Sequence, residues 1–397
     1  MANNVSEPLF HIVKRDNLDR KKAWMIRAAA IVFAIIVSSI LTTILTDDNP
    51  IKVLFTMAGG AFGTLRKTMV TLQNLAILLI ISLALTPAFK MRFWNIGGEG
   101  QVLIGGLAAA ACMELMGDRL PAGLSVPNWL IMVLMVISSI LAGALWGFIP
   151  AVLKAKWNTN ETLSTLMMNY IAIQLVAYFV IKWEVPKGAG KIGIINQDTN
   201  LGWLPQLFGS KYMLSIVLAV LVTIGMFIYL TYSKHGYEIA VVGESERTAR
   251  YVGMKVKKVI IRTMLLSGGL CGLAGLLLVG SINHTITTTI SNGQGFTAVM
   301  VSWLAKFNPF TMVFTALLIV FLGRGAGEIS TKFELNQSFS DIVTGIILFF
   351  IIGCEFFINY KINFRKPAAA AVHEDSDEDR VEETVAGKED DTDDSVH

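Results

Sequence analysis

The 397-residue chain is poor in charge, with only 16% Asp, Glu, Lys and Arg against 53% hydrophobic residues, a balance that leaves too little polar surface to cover a soluble body of this length. Cysteine is nearly absent: Cys112, Cys271 and Cys354 stand alone in apolar runs without the spacing of a metal or redox site, which leaves them as packing residues. The five histidines are equally scattered, and no HExxH or paired-His arrangement points to a metalloenzyme, so no metal site is expected. No GxxxxGK[ST] loop occurs, so the chain cannot bind and hydrolyse ATP by that route. No set of nucleophile, base and metal ligands supports a membrane enzyme.

What the chain has is apolar runs of the length that spans a hydrocarbon core of about 30 Å. They fall at about Trp24–Leu45, Met69–Ala88, Gly100–Met116, Trp129–Leu153, Thr162–Ile181, Met213–Tyr232, Val259–Gly280, Phe296–Ala305, Phe310–Leu322 and Ile342–Tyr360. Ala28 to Leu45 is apolar at nearly every position, which fits a helix and not the alternation of a membrane barrel. The fold class expected is all-α, a polytopic membrane protein of about ten helices. The runs from Phe296 and Phe310 are too short to cross alone and read as half-helices or a re-entrant pair around Phe307-Asn308-Pro309. Met1 to Lys22 is too long and polar for a signal peptide, so the first helix is expected to remain as an anchor.

Residues 1–23 read as an N-terminal arm, 24–366 as the membrane domain and 367–397 as a disordered acidic tail. Twelve of the 30 acidic residues lie in that tail, leaving 31 basic and 18 acidic residues in the rest and a body charge of +13 beneath the overall +3. With ten crossings and the N-terminus inside, 21 of the 31 basic body residues fall on the cytoplasmic side. That bias predicts a multi-pass plasma-membrane protein with both termini cytoplasmic. Arg66 and Lys67 fit this scheme worst. The outer loop Trp183–Tyr212, punctuated by Gly and Pro, reads either as a docking surface or as a passive connector.

Polar groups inside the apolar stretches need a reason, since a charge at the bilayer centre costs about 2.5–3.5 kcal/mol on insertion scales. In Asn95-Ile96-Gly97-Gly98-Glu99-Gly100-Gln101, polar side chains alternate with glycines. This fits a broken helix at a water-lined cavity, or a turn in which Asn95 caps a helix whose N-terminus meets Glu99. In a second cluster Asn160, Glu161, Thr165, Asn169 and Tyr170 form a polar stripe that suits solute binding and helix glue equally. Gly268 and Gly272 suit close helix packing. Thr285–Gly295 cannot cross lipid unshielded and reads as a pore-facing or outer-surface turn. Glu328 and Glu355 look isolated in or near apolar stretches.

These residues carry a resemblance. Phe93–Gln101, FWNIGGEGQ, is similar to the NIGxEGQ signature of nucleoside and simple-sugar ABC transporter permeases, which are binding-protein-dependent importers with a ribose/branched-chain-type membrane fold. Asn160–Ala172, NETLSTLMMNYIA, resembles that family's NEVISTIMLNYIA stretch, and Gly243–Met254, GESERTARYVGM, resembles its GxNxxAAxYAGI cytoplasmic loop. The likeness runs roughly from Thr64 to Arg365, with Ser245, Glu246 and Thr248 departing from the usual Asn, Pro and Ala.

The resemblance implies an ABC-type permease that translocates a nucleoside or related sugar-containing solute. It implies a partner ABC ATP-binding subunit that holds ATP and Mg, a second permease subunit, and an extracytoplasmic substrate-binding protein; no nucleic acid is implied, and the chain itself binds no cofactor. Asn95, Glu99, Gln101, Asn160, Glu161 and Asn169 are then candidates for the solute path. Within loop 233–258, residues 246–251 form a docking helix for the ATPase, with Gly243, Arg247, Ala249, Arg250, Tyr251 and Gly253 as coupling residues. The rival is an ion-coupled secondary carrier using Glu99 or Glu161.

Overall fold

A computed structural model describes residues 10–15, 19–46, 49–117 and 126–364. The acidic tail 367–397 lies outside these residues, as does most of the N-terminal arm. The architecture is helical: α1 (Arg20–Thr46), α2 (Pro50–Phe62), α3 (Leu65–Lys90), α4 (Gly98–Met116), α5 (Asn128–Trp157), α6 (Glu161–Trp183), α7 (Met213–Tyr232), α8 (Lys234–Glu244), α9 (Glu246–Tyr251), α10 (Val256–Leu277), α11 (Gln294–Leu304), α12 (Pro309–Lys332) and α13 (Gln337–Asn359). Nine helices among the described residues are long and apolar enough to cross a membrane. With the shorter α2 and α11 among them, the expected all-α polytopic architecture holds.

Burial sorts these helices. In α3, α4 and the α10 crossing, 67%, 67% and 72% of the most apolar window is buried within the chain, against 22% for α7 and 28% for α13. The first three form the centre, and the last two present apolar surface outward to lipid or a partner. Close approach at the centre depends on small residues. Gly268 and Gly272 of α10 lie directly against the Gly143 and Ser139 carbonyls of α5, where a Cβ would clash, and Gly275 meets the backbone of α4 at Val102 and Gly106.

Two elements depart from the simple crossing pattern. The α2 helix has 13 residues, about 20 Å of helix, too short to span; it packs along α12. The α12 helix is a single 24-residue span. The sequence reading of Phe310–Leu322 as a half-helix is therefore corrected, and α11 is the short member of that pair. The apolar run stops at Leu322 because Arg324 and Glu328 follow, but the helix carries on. Glu328 accepts from Lys67 Nζ at 2.6 Å, so neither it nor the awkwardly placed Lys67 is isolated. Glu355 likewise accepts from Arg27 Nε at 2.7 Å.

Two short antiparallel strands, β1 (Phe10–Lys14) and β2 (Tyr360–Phe364), pair in register from Phe10↔Phe364 to Lys14↔Tyr360. This pairing brings residues 10–14 beside residues 360–364. Helices α8 and α9 lie at the Lys90 end of α3, where Glu161 at the start of α6 shares a groove with them; segment 184–212 follows the far end of α6, and the α12–α13 turn follows the end of α12 whose Glu328 meets Lys67 at the far end of α3.

Candidate functional site

Between α3 and α4 the chain makes an elbow, residues 91–97. Its backbone groups need partners, which α6 supplies, while α10 takes up the Asn95 side chain. Asn169 Oδ1 accepts from Gly100 N–H at 2.9 Å while its Nδ2 donates to the Ile96 carbonyl at 2.9 Å. Thr165 Oγ1 accepts from Ile96 N–H at 3.2 Å. Asn95, fully buried, accepts from Gly97 N–H at 3.0 Å and donates to Ser267 Oγ at 3.1 Å, and Gln101 lies against it at 3.4 Å. Gly100 must be glycine, since a Cβ would lie 2.9 Å from Asn169 Oδ1.

Asn95 is not the cap of α4 that one sequence reading anticipated. Gly97 holds that position with no side-chain cap, because the Asn95 amide is taken up inside the elbow and by α10. Glu99 does lie in the first turn of α4, as that reading had it, and its carboxyl also meets the N-terminus of α11. Its Oε2 accepts from Gly295 N–H at 2.8 Å, and its Oε1 accepts from Ser291 Oγ. The macrodipole of α11 and two charge-assisted hydrogen bonds thus face this buried carboxylate.

Of the six residues read from the sequence as path candidates, Asn95, Glu99, Gln101 and Asn169 come together in this buried network. Asn160 and Glu161 sit apart at the start of α6. Asn160 Oδ1 caps the helix through Leu163 N–H at 3.1 Å, and Glu161 pairs with Lys154 Nζ at 2.9 Å.

Two cavities lie end to end along α11, α12 and α13. The first, about 470 Å³, is polar: α3 contributes Asn74, the start of α11 Asn292, Gln294 and Thr297, α12 Arg324, Glu328 and Thr331, and α13 Ser340, Asp341 and Thr344. The second, about 530 Å³, is apolar and lined by Trp94, Met300, Trp303, Phe307, Ile351 and Ile352, with Lys306 and Glu355 at its α8-side end. Ile319 and Leu348 line both, so an aliphatic constriction separates a polar half on the 184–212 side from an apolar half on the α8 side. Trp94 of the elbow stacks on Trp303 of α11 with centroids 5.0 Å apart and planes 22° from parallel. Phe89 and Phe307 pack around that pair.

Sequence reading missed most of the polar cavity. The sequence expects a pore-facing or outer-surface turn ahead of Gly295, and Asn292 and Gln294 do line the cavity. Asn74 and Thr344 carried no signal beyond being polar within apolar runs, Arg324 and Asp341 fall just outside those runs, and their convergence is set by helix rotations that no spacing reveals.

On the α8 side, α8 and α9 form a bent pair. Ser233 Oγ accepts from Gly236 N–H at 3.0 Å to start α8, and Ser245 Oγ accepts from Thr248 N–H at 3.2 Å to start α9. Helix α9 covers Glu246–Tyr251, as read from the sequence, and Gly253 follows it at φ +81°. Gly243 abuts the Lys90 carbonyl at the end of α3 so closely that a Cβ would collide with it. Ala249 is fully buried against this base, while Arg247, Arg250 and Tyr251 face outward, Tyr251 at 92% exposure. A groove of about 180 Å³ between the pair and the elbow is lined by Arg92, Lys154, Glu161, Gly243 and Glu246.

Across from α8, the 184–212 segment folds onto the ends of α4 and α10. Asn196 Nδ2 donates to the Met113 carbonyl at 2.9 Å, and Leu204 N–H donates to the Gly280 carbonyl at 2.9 Å. His284, just beyond the α10 crossing, stacks on Trp203 at 3.8 Å; burial first, and then the charge of Lys211, push its pKa down to about 4. The Glu184 carboxyl is held below its ordinary range by N–H donation from Gly188 and Gly190.

Comparison with known proteins matches residues 68–352 to the family described as branched-chain amino acid transport system / permease component. The chain is similar to the guanosine ABC transporter permease protein NupP of Bacillus subtilis, 31% identical over 77% of this chain and 85% of that one. It is similar to the glucose ABC transporter permease protein TsgB13 of Haloferax volcanii, 26% identical over 72% and 76%. It also resembles the nucleoside ABC transporter permease protein NupB of Lactococcus lactis, 27% identical over 86% and 93%. No solved structure matches.

Proposed function

The chain belongs to the family of permease components of branched-chain amino acid transport systems, and from that premise we propose that it is the membrane subunit of an ATP-binding cassette importer that carries a nucleoside into the cell. The observation that carries the reading is the α8–α9 pair, a bent lever that presents exposed Tyr251, Arg247 and Arg250 at its tip and seats Gly243 on the end of α3. Support for a nucleoside comes from the names of two relatives, and from a polar cavity within the roughly 300–1,000 Å³ range of small-molecule sites.

The lever works by contact. An ATP-binding subunit, holding ATP and Mg, receives α9 in a groove; its closure moves α8 and α9 as a unit. Because Gly243 leaves no slack against Lys90, that motion reaches the elbow and Trp94. The Trp94–Trp303 stack then parts or closes, and α11 carries the change to Glu99 and the floor of the polar cavity. A solute released by an extracytoplasmic binding protein enters from the 184–212 face and leaves past the tryptophans. Both termini lie in the cytoplasm, and the outward apolar faces of the outer helices meet lipid and a second permease.

The test is purification of the tagged chain in mild detergent with identification of what accompanies it, wild type against Gly253→Pro. A φ of +81° is closed to proline, so α9 is displaced in the variant. Recovery of an ATP-binding subunit with wild type and its loss with the variant supports the reading. A chain that comes out alone both times, under conditions that preserve other complexes, contradicts it.

A further inference from the structure

Arg324 presents a problem that the transport reading leaves open. Its Nε is buried at the polar cavity without a hydrogen-bond partner, and Gln294 Oε1, lining the same cavity from the start of α11, is likewise buried without a donor. Asp341 on α13 lines the cavity too, and no ion pair of the described residues joins it to Arg324. The other acid on this wall, Glu328, is taken by Lys67. One guanidinium nitrogen and one amide oxygen, each on a half-buried side chain, are thus left unsatisfied among the helices, and unpaired polar atoms are costly to bury. Two such atoms on long side chains lining one polar cavity are groups that a ligand there can complete.

Resting on the nucleoside reading, we propose that Arg324 and Gln294 form a recognition site for the lactam edge of an oxo-base nucleoside, with Asp341 accepting from the ribose hydroxyls. A lactam edge sets a carbonyl acceptor beside an N–H donor. The Arg324 fork donates to the carbonyl, as arginine does to the O6 and N7 acceptors of guanine, and Gln294 Oε1 accepts from the ring N–H. Adenine and cytosine bases reverse that edge, offering an amino donor where the arginine needs an acceptor. A site built to hydrogen-bond one pattern rejects the other, because its own buried groups stay unpaired. Asp341, acceptor-only when ionised, suits a vicinal diol. Asn74 and Asn292 line the same space and supply further amide groups.

Inosine and adenosine differ in this edge alone, so their uptake ratio reads the site directly. The experiment uses cells expressing the full transporter with its binding protein and ATP-binding subunit held constant, comparing wild type, Arg324→Gln and Arg324→Lys. Co-purification of the ATP-binding subunit checks assembly of each variant. The expected result is a wild-type preference for inosine of about tenfold or more, collapsing toward unity in Arg324→Gln and intermediate in Arg324→Lys. In parallel, Asp341→Asn narrows the preference for inosine over 2′,3′-dideoxyinosine. An unchanged inosine-to-adenosine ratio in assembled Arg324→Gln, whether total uptake falls or stays, overturns the proposal while leaving nucleoside import intact. Loss of assembly in both Arg324 variants overturns it in favour of a contact between permease subunits. Wild type taking up neither nucleoside contradicts the nucleoside reading itself.

Discussion

Glu99 of α4 and Gly295 of α11, 196 residues apart in sequence, are joined by a 2.8 Å hydrogen bond from the Gly295 N–H to the Glu99 carboxylate. The bond fixes the first turn of a helix too short to cross alone at the point where α4 begins. Gly295 has to be glycine for this approach, since any side chain would fall on the Glu99 backbone.

Glu99→Ala therefore leaves the Gly295 N–H and the Ser291 hydroxyl without acceptors in a buried place. The expected cost is about 3 kcal/mol, for two hydrogen bonds to a charged group with part of the loss relieved by relaxation. Ser291→Ala, which removes one donor and leaves the backbone bond, is expected to cost about half as much. Thermal unfolding of the detergent-solubilised chain measures both. Equal melting of wild type and Glu99→Ala would show that the bond does not hold α11.

The buried network around the elbow was half legible in sequence. The alternation of glycine and polar residues from Asn95 to Gln101 announced a broken helix, and the stripe through Thr165 and Asn169 announced a face with bonds to make. What could not be read was the partner of each. Asn169 closes on the elbow backbone, Asn160 and Glu161 turn away to cap and pair at the start of α6, and Glu99 reaches a segment nearly two hundred residues downstream. The short helix α9 was legible through the family resemblance of Gly243–Met254, which implied a helix over residues 246–251 ended by Gly253; the Ser245 cap at its start is what the structure adds. The α2 helix, the full length of α12 and the β1–β2 pairing were not legible, since each depends on a distant partner: α12 for α2, Lys67 for Glu328, and one end of the chain for the other.

Gly243→Val is expected to separate the lever from the elbow without unfolding the membrane core. The added side chain collides with the Lys90 carbonyl and lifts α8, whereas the membrane crossings are untouched. The chain should still reach the membrane and bind the ATP-binding subunit through α9, while uptake falls about tenfold or more, as misplacement of a coupled element does. Normal uptake with Gly243→Val would remove this contact from the coupling route.

The Lys67–Glu328 pair is part-buried, with side-chain exposures of 34% and 28%. Removing one charge strands the other, so Glu328→Gln and Lys67→Met each destabilise, by about 1–2 kcal/mol after allowing for solvent screening. The charge-reversed double variant Lys67→Glu with Glu328→Lys should recover much of that loss. A double-variant cycle of melting temperatures checks it, and additive losses with no recovery would mean that the two groups act independently.

Acid should loosen the 184–212 cap. His284 has its pKa lowered to about 4 from 6.5, so the folded cap disfavours the protonated ring. The unfolded cap binds the proton first as pH falls, and stability that is complete above pH 6.5 is lost progressively down to about pH 4. Hydrogen exchange of residues 195–204 followed from pH 7 to pH 4 should show this loss, and His284→Phe, which keeps the stack on Trp203, should flatten it. Equal pH dependence in the variant would place the acid sensitivity elsewhere.

Trp94→Ala should open the apolar cavity toward the α8 side by removing one face of the stack with Trp303. Proteoliposomes carrying the variant complex are expected to leak preloaded nucleoside without ATP, at a rate above that of wild type. Tight vesicles would show that the passage is closed by another group, with the Ile319–Leu348 constriction the first alternative.

The central claim is that this chain moves its solute by coupling to ATP hydrolysis on a separate subunit. The most direct test is nucleoside uptake by proteoliposomes holding the chain, its ATP-binding subunit and its binding protein, with ATP enclosed and an uncoupler present. The account predicts uptake that requires ATP and Mg, ignores the uncoupler and disappears with Gly253→Pro. Uptake that proceeds without ATP, collapses with the uncoupler and survives the displacement of α9 would contradict it and identify an ion-coupled carrier.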